Sequence, residues 1–402
     1  MSNLKKSYLT LFALVLSASI AFSTHTTMAL DGVAQPTAAP ASTDSAATDN
    51  TSTGAGSTGS TEPATPPADT STLNLSLEDA LKAIETGNSD LKLTDSQIQI
   101  YDKQNQQNLA QRDANTLVTD EDSKKVHDLN YKRSQWTLDN AKHDRDTQLK
   151  NLKVQVTNEY ENVLTFQQQA DNYKTQLANL DTVINQVNLQ IKLGLQIPSA
   201  INSYNAQKSK LEAAQKAILN SIDSSMITLK QDLGIDINRN LVLTSSLTPY
   251  SKFDDSDLDN QIANAIKNNY DIQRYTQDID ISQIEHDIDF YYDDTQVADQ
   301  IELSIEDKKA TLANLAVTKE VSLRTAYNSL KSLENTIEAD KLTVEADQIN
   351  IDTMQKNIDV GKSSSLDMIT LQNTLLNDQN TLQQDINTYM TAVANFQNSL
   401  DE

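Results

Sequence analysis

The chain has 402 residues, no cysteine and a formal net charge of −24, from 32 basic and 56 acidic side chains. A surface of that sign repels phosphate backbones, which argues against nucleic acid as a partner. Without cysteine, neither a disulfide framework nor a cysteine-linked lipid anchor can form.

The first 29 residues have the pattern of a secretory signal peptide. Lys5 and Lys6 precede an apolar run from Leu9 to Phe22, and Ala29 ends a small-residue cleavage site. The apolar run is shorter than the roughly 20 residues that span a bilayer, which favours cleavage after Ala29 over an uncleaved anchor. No later run is long enough to cross a membrane as a helix. We therefore expect an exported protein of the cell envelope, on the outer-membrane, periplasmic or cell-wall side, and not a cytoplasmic one.

Residues 30–72 consist mainly of Ala, Thr, Ser, Pro and Gly, and this composition predicts a disordered linker. The linker holds five of the seven prolines and four of the eight glycines. Because Pro and Gly interrupt helices, their scarcity after residue 72 leaves room for very long helices.

The apolar residues that follow the linker have a helical period. Between residues 156 and 191 they recur at intervals of three and four, and polar residues fill the positions between them. We expect one helix over residues 120–193, ended by Gly194. A return helix is expected to begin at Pro198 with Ser199 as its N-cap. The two helices together predict a long antiparallel hairpin.

The chain then repeats itself. Residues 77–100 match residues 181 positions later, and residues 156–233 match residues 167 positions later. Two repeats are predicted, over residues 73–250 and 251–402, and the first is 14 residues longer between about 101 and 150. Because 14 residues make two heptads, we expect the insertion to lengthen one hairpin end in phase. The predicted fold is all-α, with two repeated, long, antiparallel coiled-coil hairpins.

Four short motifs mark the repeats; two of them occur in both repeats and two in the first repeat only. They are an amphipathic Leu-Glu-x-Ala-Leu start, an Asn-x-Asp-Leu element, an apolar-Gly tip between the long helices, and a Leu-Gly close. In this chain they are Leu77–Leu81, Asn88–Leu91 with Asn269–Ile272, Leu193–Leu195 with Val360–Lys362, and Leu233–Gly234. As a duplicated set they resemble the outer-membrane efflux (TolC) family over about residues 73–402.

The resemblance implies an assembly and a set of contacts. In the family, three protomers enclose a helical tunnel that continues through the outer membrane as a β-barrel. The hairpin tips meet a membrane-fusion adaptor protein, which links the tunnel to a transporter in the inner or cytoplasmic membrane. Carried over to this chain, the resemblance implies a homotrimer whose tips contact the adaptor. The implied adaptor contacts are Gly194, Leu195, Ile197, Gly361, Ser363 and Leu366.

The resemblance also implies that Asp367 lines the tunnel entrance. The Arg and Tyr that tether this entrance in some family members are replaced here by Ser363 and Ile358, and the first repeat has Ala200 at the place of Asp367. An alternative is that Asp367 only favours the start of a helix through the helix dipole.

The chain departs from the family where two membrane strands are expected in each repeat. The corresponding stretches, 113–121 and 290–300, are polar and too short for two strands of about 9–11 residues each. We therefore expect no transmembrane β-barrel and a mature protein that is soluble without detergent. The neighbouring aromatic residues Phe290, Tyr291 and Tyr292 are expected to pack inside the hairpin end, with contact to lipid or cell wall as the alternative.

No motif in the sequence points to catalysis. The four histidines are scattered, phosphate loops and nucleophile elbows are missing, and the acidic run 254–257 lacks the pattern of a calcium loop. We expect no enzyme activity, no cofactor and no metal. The leading hypothesis is a passive export-duct component, and the alternative is a structural cell-envelope scaffold or spacer without transport activity.

Overall fold

The structure is a computed structural model that describes residues 71–115, 117–363 and 365–401, without the side chains of Ser365 and Leu366. The predicted signal peptide (1–29) and nearly all of the predicted linker (30–72) lie outside the described residues. Within the described residues two short strands and nine α-helices follow one another. They are β1 (Leu73–Leu75), α1 (Leu77–Gly87), α2 (Ser89–Ala114), α3 (Glu121–Asp128), α4 (Asn130–Lys192), α5 (Ile201–Asp232), β2 (Leu241–Leu243), α6 (Leu258–Asn268), α7 (Tyr270–Tyr291), α8 (Thr295–Asp359) and α9 (Ser365–Leu400).

Two long hairpins dominate the described part of the chain and confirm the predicted fold class. Helices α4 and α5 form the first hairpin, and α8 and α9 form the second. At 1.5 Å per residue, the 63 residues of α4 and the 65 residues of α8 each span about 95 Å. Helices α1 and α2 of the first repeat return as α6 and α7 in the second, in the same order. The repeat limits 73–250 and 251–402 stay a prediction.

A small core of helical and strand residues lies at the end of the first hairpin away from its tip, which is called the open end below. Strand β1 pairs in parallel with β2, so that Leu73 lies opposite Leu241. The buried Tyr160 of α4 fixes both strand ends: its hydroxyl donates to the Leu75 carbonyl at 2.8 Å and accepts from the Ser245 N–H at 2.9 Å.

The 14-residue insertion has a different structure from the predicted one. The helix expected over residues 120–193 is interrupted at Leu129, and the insertion forms the separate helix α3 instead of lengthening the hairpin. Asp120 starts α3 with a capping box to Ser123. Leu129 is fully buried, together with Ile281 and Ile288 of α7, so tertiary packing ends the helix where no Gly or Pro does.

The start of the return helix also differs from the prediction. Residues Pro198–Ala200 form one turn of 3₁₀-helix, and α5 begins after Ala200 without a side-chain cap. Ser199 is therefore not an N-cap.

The stretches in which the family has membrane strands lie between α2 and α4 and between α7 and α8. The described residues within 113–121 and 290–300 are helical ends and turns, and none of them lies in a strand. No helix in the described part of the chain is long and apolar enough to cross a membrane. Tyr292 packs against the cluster around Leu129, as predicted. The same prediction is wrong for Phe290 and Tyr291, which are 61% and 78% exposed.

Candidate functional site: the hairpin tips and the seam between the repeats

The first hairpin tip is built by the end of α4. Gly194 has a positive φ of 73°, a conformation that side chains with a Cβ rarely adopt. Its N–H donates to the Ile191 carbonyl at 3.0 Å, and the Leu195 N–H donates to the Gln190 carbonyl at 2.8 Å. This pair of bonds is the Schellman motif, which satisfies the last carbonyls of the helix and reverses the chain.

The second tip repeats the same turn. Gly361 has a φ of 72°, its N–H donates to the Ile358 carbonyl at 2.9 Å, and the Lys362 N–H donates to the Asn357 carbonyl at 2.8 Å. Apart from the glycine itself and its two chain neighbours, no described residue would lie within 4 Å of a Cβ built on Gly194 or Gly361. Backbone conformation, and not crowding, therefore requires glycine at both tips.

The two tips differ in their surface chemistry. Leu193, Leu195 and Ile197 of the first tip are 64–71% exposed, which is unusual for three large apolar side chains in one turn. On the second tip Val360 is exposed, but polar residues follow it, and Ser363 is half-buried. Leu366, a predicted contact, has no described side chain.

An apolar cluster lies directly behind the first tip. Its buried members Leu180, Val183 and Val187 come from α4, and α5 and α9 pack side chains against them. Ile369 of α9 belongs to this set, so the second hairpin contacts the first close to the tips. Asp367 lies in the first turn of α9 and is exposed. Its predicted place at a tunnel entrance stays a prediction.

Further from the tips, the seam between the repeats is polar. The side chain of Asn172 on α4 donates to Asn380 on α9 at 2.7 Å, and Asn387 donates to the Thr165 hydroxyl, also at 2.7 Å. Sequence reasoning missed these amides because Asn is common on exposed helix faces. Their signal is the seven-residue spacing, since 165 and 172 on α4 face 387 and 380 on α9.

The remainder of the seam joins α4 to α7 and α9. The Trp136 indole N–H donates to the Arg274 carbonyl at 3.2 Å, and Ile281 packs in the cluster that Trp136 borders. Nearer the open end, a groove of about 310 Å³ runs between α4 and α9. Lys150, Val154, Met390 and Ala394 are among the residues that line it.

The described residues do not bring together a cluster of metal ligands. No group of three or more His, Cys, Asp or Glu there is arranged to hold a metal ion. In the acidic run 254–257, Asp254 accepts from the Ser256 N–H and Asp255 accepts from the Tyr327 hydroxyl, so both have structural partners. The expectation that the protein has no enzyme activity and no cofactor stays a prediction.

Comparison with known proteins identifies the fold. No protein-family model and no curated protein sequence matches the chain. Solved structures do: the Campylobacter jejuni CmeC outer membrane channel matches with a TM-score of 0.65 and 10% identity, over 81% of this chain and 85% of that one. The Vibrio cholerae outer membrane protein VceC matches with a TM-score of 0.61 and 11% identity, over 81% and 94%. The open state of the Neisseria gonorrhoeae MtrE outer membrane channel matches with a TM-score of 0.60 and 10% identity, over 81% and 88%. The chain therefore has the TolC-like fold.

Proposed function

We propose that this chain, with the fold of outer-membrane channels, is a passive component of an export duct in the cell envelope. Copies of the chain associate side by side into a ring, and the ring encloses the duct. Such a role needs no catalytic group. One observation supports the proposal above all: the exposed flanks of the chain repeat, position by position, the seam that joins its own two repeats.

The first flank is the outer side of α8. Leu303, Val317 and Val321 are 59–67% exposed there, although all three are large and apolar. Their counterparts 167 positions earlier are Trp136, Lys150 and Val154. These counterparts are the residues with which α4 forms the seam to the second repeat. Helix α8 thus presents to solvent the positions that on α4 lie at the contact with the second repeat, where Trp136 and Val154 are half-buried.

The second flank is formed by α2 and α5. Leu93, Ile100 and Ile227 are 50–70% exposed. Their counterparts in the second repeat, 181 positions later for α2 and 167 for α5, are Arg274, Ile281 and Ala394. These counterparts lie on the other side of the same seam.

The flank on α8 therefore matches the α4 side of the contact between the repeats, and the flank on α2 and α5 matches the α7 and α9 side. If α8 of one copy packs against α2 and α5 of the next, the internal seam is repeated between chains. Such a head-to-tail contact generates a closed ring when its rotation closes. The resemblance described above implies three chains, and we propose a homotrimer.

The tips are the proposed contact for a membrane-fusion adaptor, through which the duct meets a transporter of the inner or cytoplasmic membrane. The exposed Leu193, Leu195 and Ile197 support this role, because apolar side chains grouped at a turn are typical of interaction surfaces. On this proposal the first tip contributes most of the apolar contact.

Sedimentation of the mature chain at tens of micromolar tests the proposal. We expect a trimer, and we expect Val321→Asp to shift it to monomer. The counterpart of Asp223 on α5 is Met390, which lines the groove with Val154, so the buried carboxylate would face Asp223 of the next copy. Leu342→Asp is the matched control: Leu342 is also exposed on α8, but its counterpart Thr175 is exposed and lies outside the seam. A wild-type monomer would contradict the duct and leave an envelope scaffold or spacer as the function.

A further inference from the structure

The interface between α8 and α9, within the second hairpin, contains four aspartates; it is called the aspartate seam below. Asp340 and Asp347 on α8, and Asp378 and Asp385 on α9, are spaced by seven residues on each helix. Because the helices are antiparallel, Asp347 lies beside Asp378 and Asp340 beside Asp385, each pair within side-chain hydrogen-bonding reach. Two carboxylates at such a distance repel each other unless they share a proton.

The first repeat shows what these positions ordinarily hold. The counterparts of the four aspartates, 167 positions earlier, are all apolar or aromatic: Tyr173, Leu180, Leu211 and Ile218. Leu180 is 3% exposed and packs with Leu211 in the cluster behind the first tip. The second hairpin therefore has carboxyl groups where the first has a packed apolar seam.

The aspartates lack compensating partners within the described residues. One oxygen of Asp340 and one of Asp347 are buried without a hydrogen-bond partner. No Lys or Arg in the described part of the chain forms an ion pair with any of the four. A buried carboxylate without a partner is costly, so proton binding at these sites stabilises the seam.

The surrounding charges do not change this conclusion. On α8, Lys341 is paired with Glu338 and lies 4.1 Å from the centre of the Tyr250 ring. Helix α4 faces α9 with the amides of Asn172 and Gln176, and its carboxylate Glu161 accepts from Thr248. Helix α6, which packs on both α8 and α9, contributes Asp259, and this carboxylate is paired with Arg324.

This environment raises the pKa values of two of the aspartates. Burial, and then the neighbouring Asp347 and Asp340, raises the pKa of Asp378 to about 6. Burial and Asp340 raise the pKa of Asp385 to about 6 as well. In the unfolded chain both groups titrate near 3.8. The folded hairpin thus binds more protons than the unfolded chain between these limits, and the stability that these protons contribute is lost as the pH rises through about 6.

We propose that the four aspartates form a pH-dependent clasp in the second hairpin. Shared protons hold α8 and α9 together at acid pH, and ionisation of the aspartates loosens the packing of the two helices. The matching segments of the first hairpin, 171–183 and 208–221, have an apolar interface and do not respond to acid in this way. The raised carboxyl of that hairpin lies outside these segments, where burial and the neighbouring Asp232 raise the pKa of Glu159 to about 8. It therefore stays largely protonated at both pH 5 and pH 7.5. These matched segments of the two hairpins therefore differ in stiffness at neutral pH. This proposal stands whether or not the chain forms a duct.

Amide hydrogen exchange of the full-length chain at pH 5 and pH 7.5 tests the clasp, after correction for the intrinsic pH dependence of exchange. We expect residues 338–350 and 375–388 to exchange about three- to tenfold more slowly at pH 5, a range that allows for partial solvent screening. Residues 171–183 and 208–221, their counterparts in the first hairpin, are the internal control and should not change. An equal response of both hairpins would overturn the proposal.

A pair of variants separates the clasp from a general effect of charge. Asp378→Asn with Asp385→Asn replaces the titrating groups by neutral amides of the same shape. We expect slow exchange in this seam at both pH values. Asp299→Asn with Asp352→Asn removes the same charge from exposed positions of α8 and should keep the wild-type response. If the first variant kept the pH response, or if the control lost it, the aspartate seam would not be its source.

Discussion

At the scale of single residues, Gly361 illustrates how backbone conformation alone can fix an amino acid. Its φ of 72° places it in the left-handed region, yet the space around its Cα is open. A substitution at this position therefore strains the backbone without creating a clash. The two effects can be separated here because no neighbour has to move.

We predict that Gly361→Val destabilises the protein by about 1–2 kcal/mol, since a β-branched residue adopts positive φ only with difficulty. Gly361→Asn should cost clearly less, because Asn tolerates this conformation. Urea unfolding of both variants, followed by circular dichroism, measures the difference. Equal losses for Val and Asn would show that the backbone conformation is not the cause.

Single residues also show the limit of what a sequence predicts. Gly194 and Gly361 were predictable as turns because a glycine directly after a long apolar stripe is typical of a helix C-terminus. Asn387 and Asp378 were not, because polar residues within a heptad are ordinarily taken to face water. The comparison between repeats, in which Leu211 occupies the place of Asp378, identifies that position as buried between helices, whereas Asn387 matches the exposed Asn220 and is indicated only by its seven-residue spacing from Asn380.

At the scale of elements, helix α3 shows how an insertion can be fixed by tertiary contacts. Residues 120–193 contain neither Gly nor Pro, so composition favours one continuous helix. The break at Leu129 arises because that side chain is buried with Ile281 and Ile288 of α7. The capping box of Asp120 and Ser123 was a readable signal for a new helix, whereas a contact more than 150 residues away in the chain was not.

The contact of α3 with α7 includes a buried ion pair, and we predict that it stabilises the inserted helix. Lys125 Nζ lies 2.6 Å from Asp289 Oδ1, and the Asp289 side chain is 1% exposed. Lys125→Met should destabilise the protein by about 2–4 kcal/mol, because it leaves a buried carboxylate unpaired. Adding Asp289→Asn should recover most of the loss, since the buried charge is then removed as well.

A double-mutant cycle in urea measures this coupling. Lys124→Met is the matched control: Lys124 precedes Lys125, is 40% exposed and pairs only locally with Asp128. We expect it to cost less than about 1 kcal/mol. If Lys124→Met were as harmful as Lys125→Met, the loss would reflect the net charge of α3 and not the ion pair.

At the scale of the whole molecule, the duplication that produced the fold also predicts the contacts between copies. The side of α8 that is exposed in one chain corresponds to the side of α4 that contacts α7 and α9. The prediction is specific to residue pairs: Val154 and Ala394 line one groove within the chain, so Val321 and Ile227 should meet between chains.

Single cysteines test this pairing, because the natural chain contains none and any disulfide must involve the introduced residues. We predict that Val321→Cys protein mixed with Ile227→Cys protein forms a disulfide-linked dimer of chains under mild oxidation. Both native residues are at least half exposed, at 59% and 50%, so neither substitution should disturb the fold of the single chain. Non-reducing gel electrophoresis of the mixture, beside each protein alone, measures the yield.

The control is a mixture of Leu342→Cys protein with Ile227→Cys protein. Leu342 is 66% exposed on the same helix as Val321, so random collision would oxidise it at least as readily. Its first-repeat counterpart Thr175 is exposed in the single chain, so the ring places Leu342 away from α5 of the next copy. A disulfide restricts its two Cα atoms to about 4.4–6.8 Å, which collision products do not maintain in high yield. Preferential linkage of positions 321 and 227 would therefore establish the head-to-tail contact. Equal yields in both mixtures would contradict it, even if the protein sedimented as an oligomer.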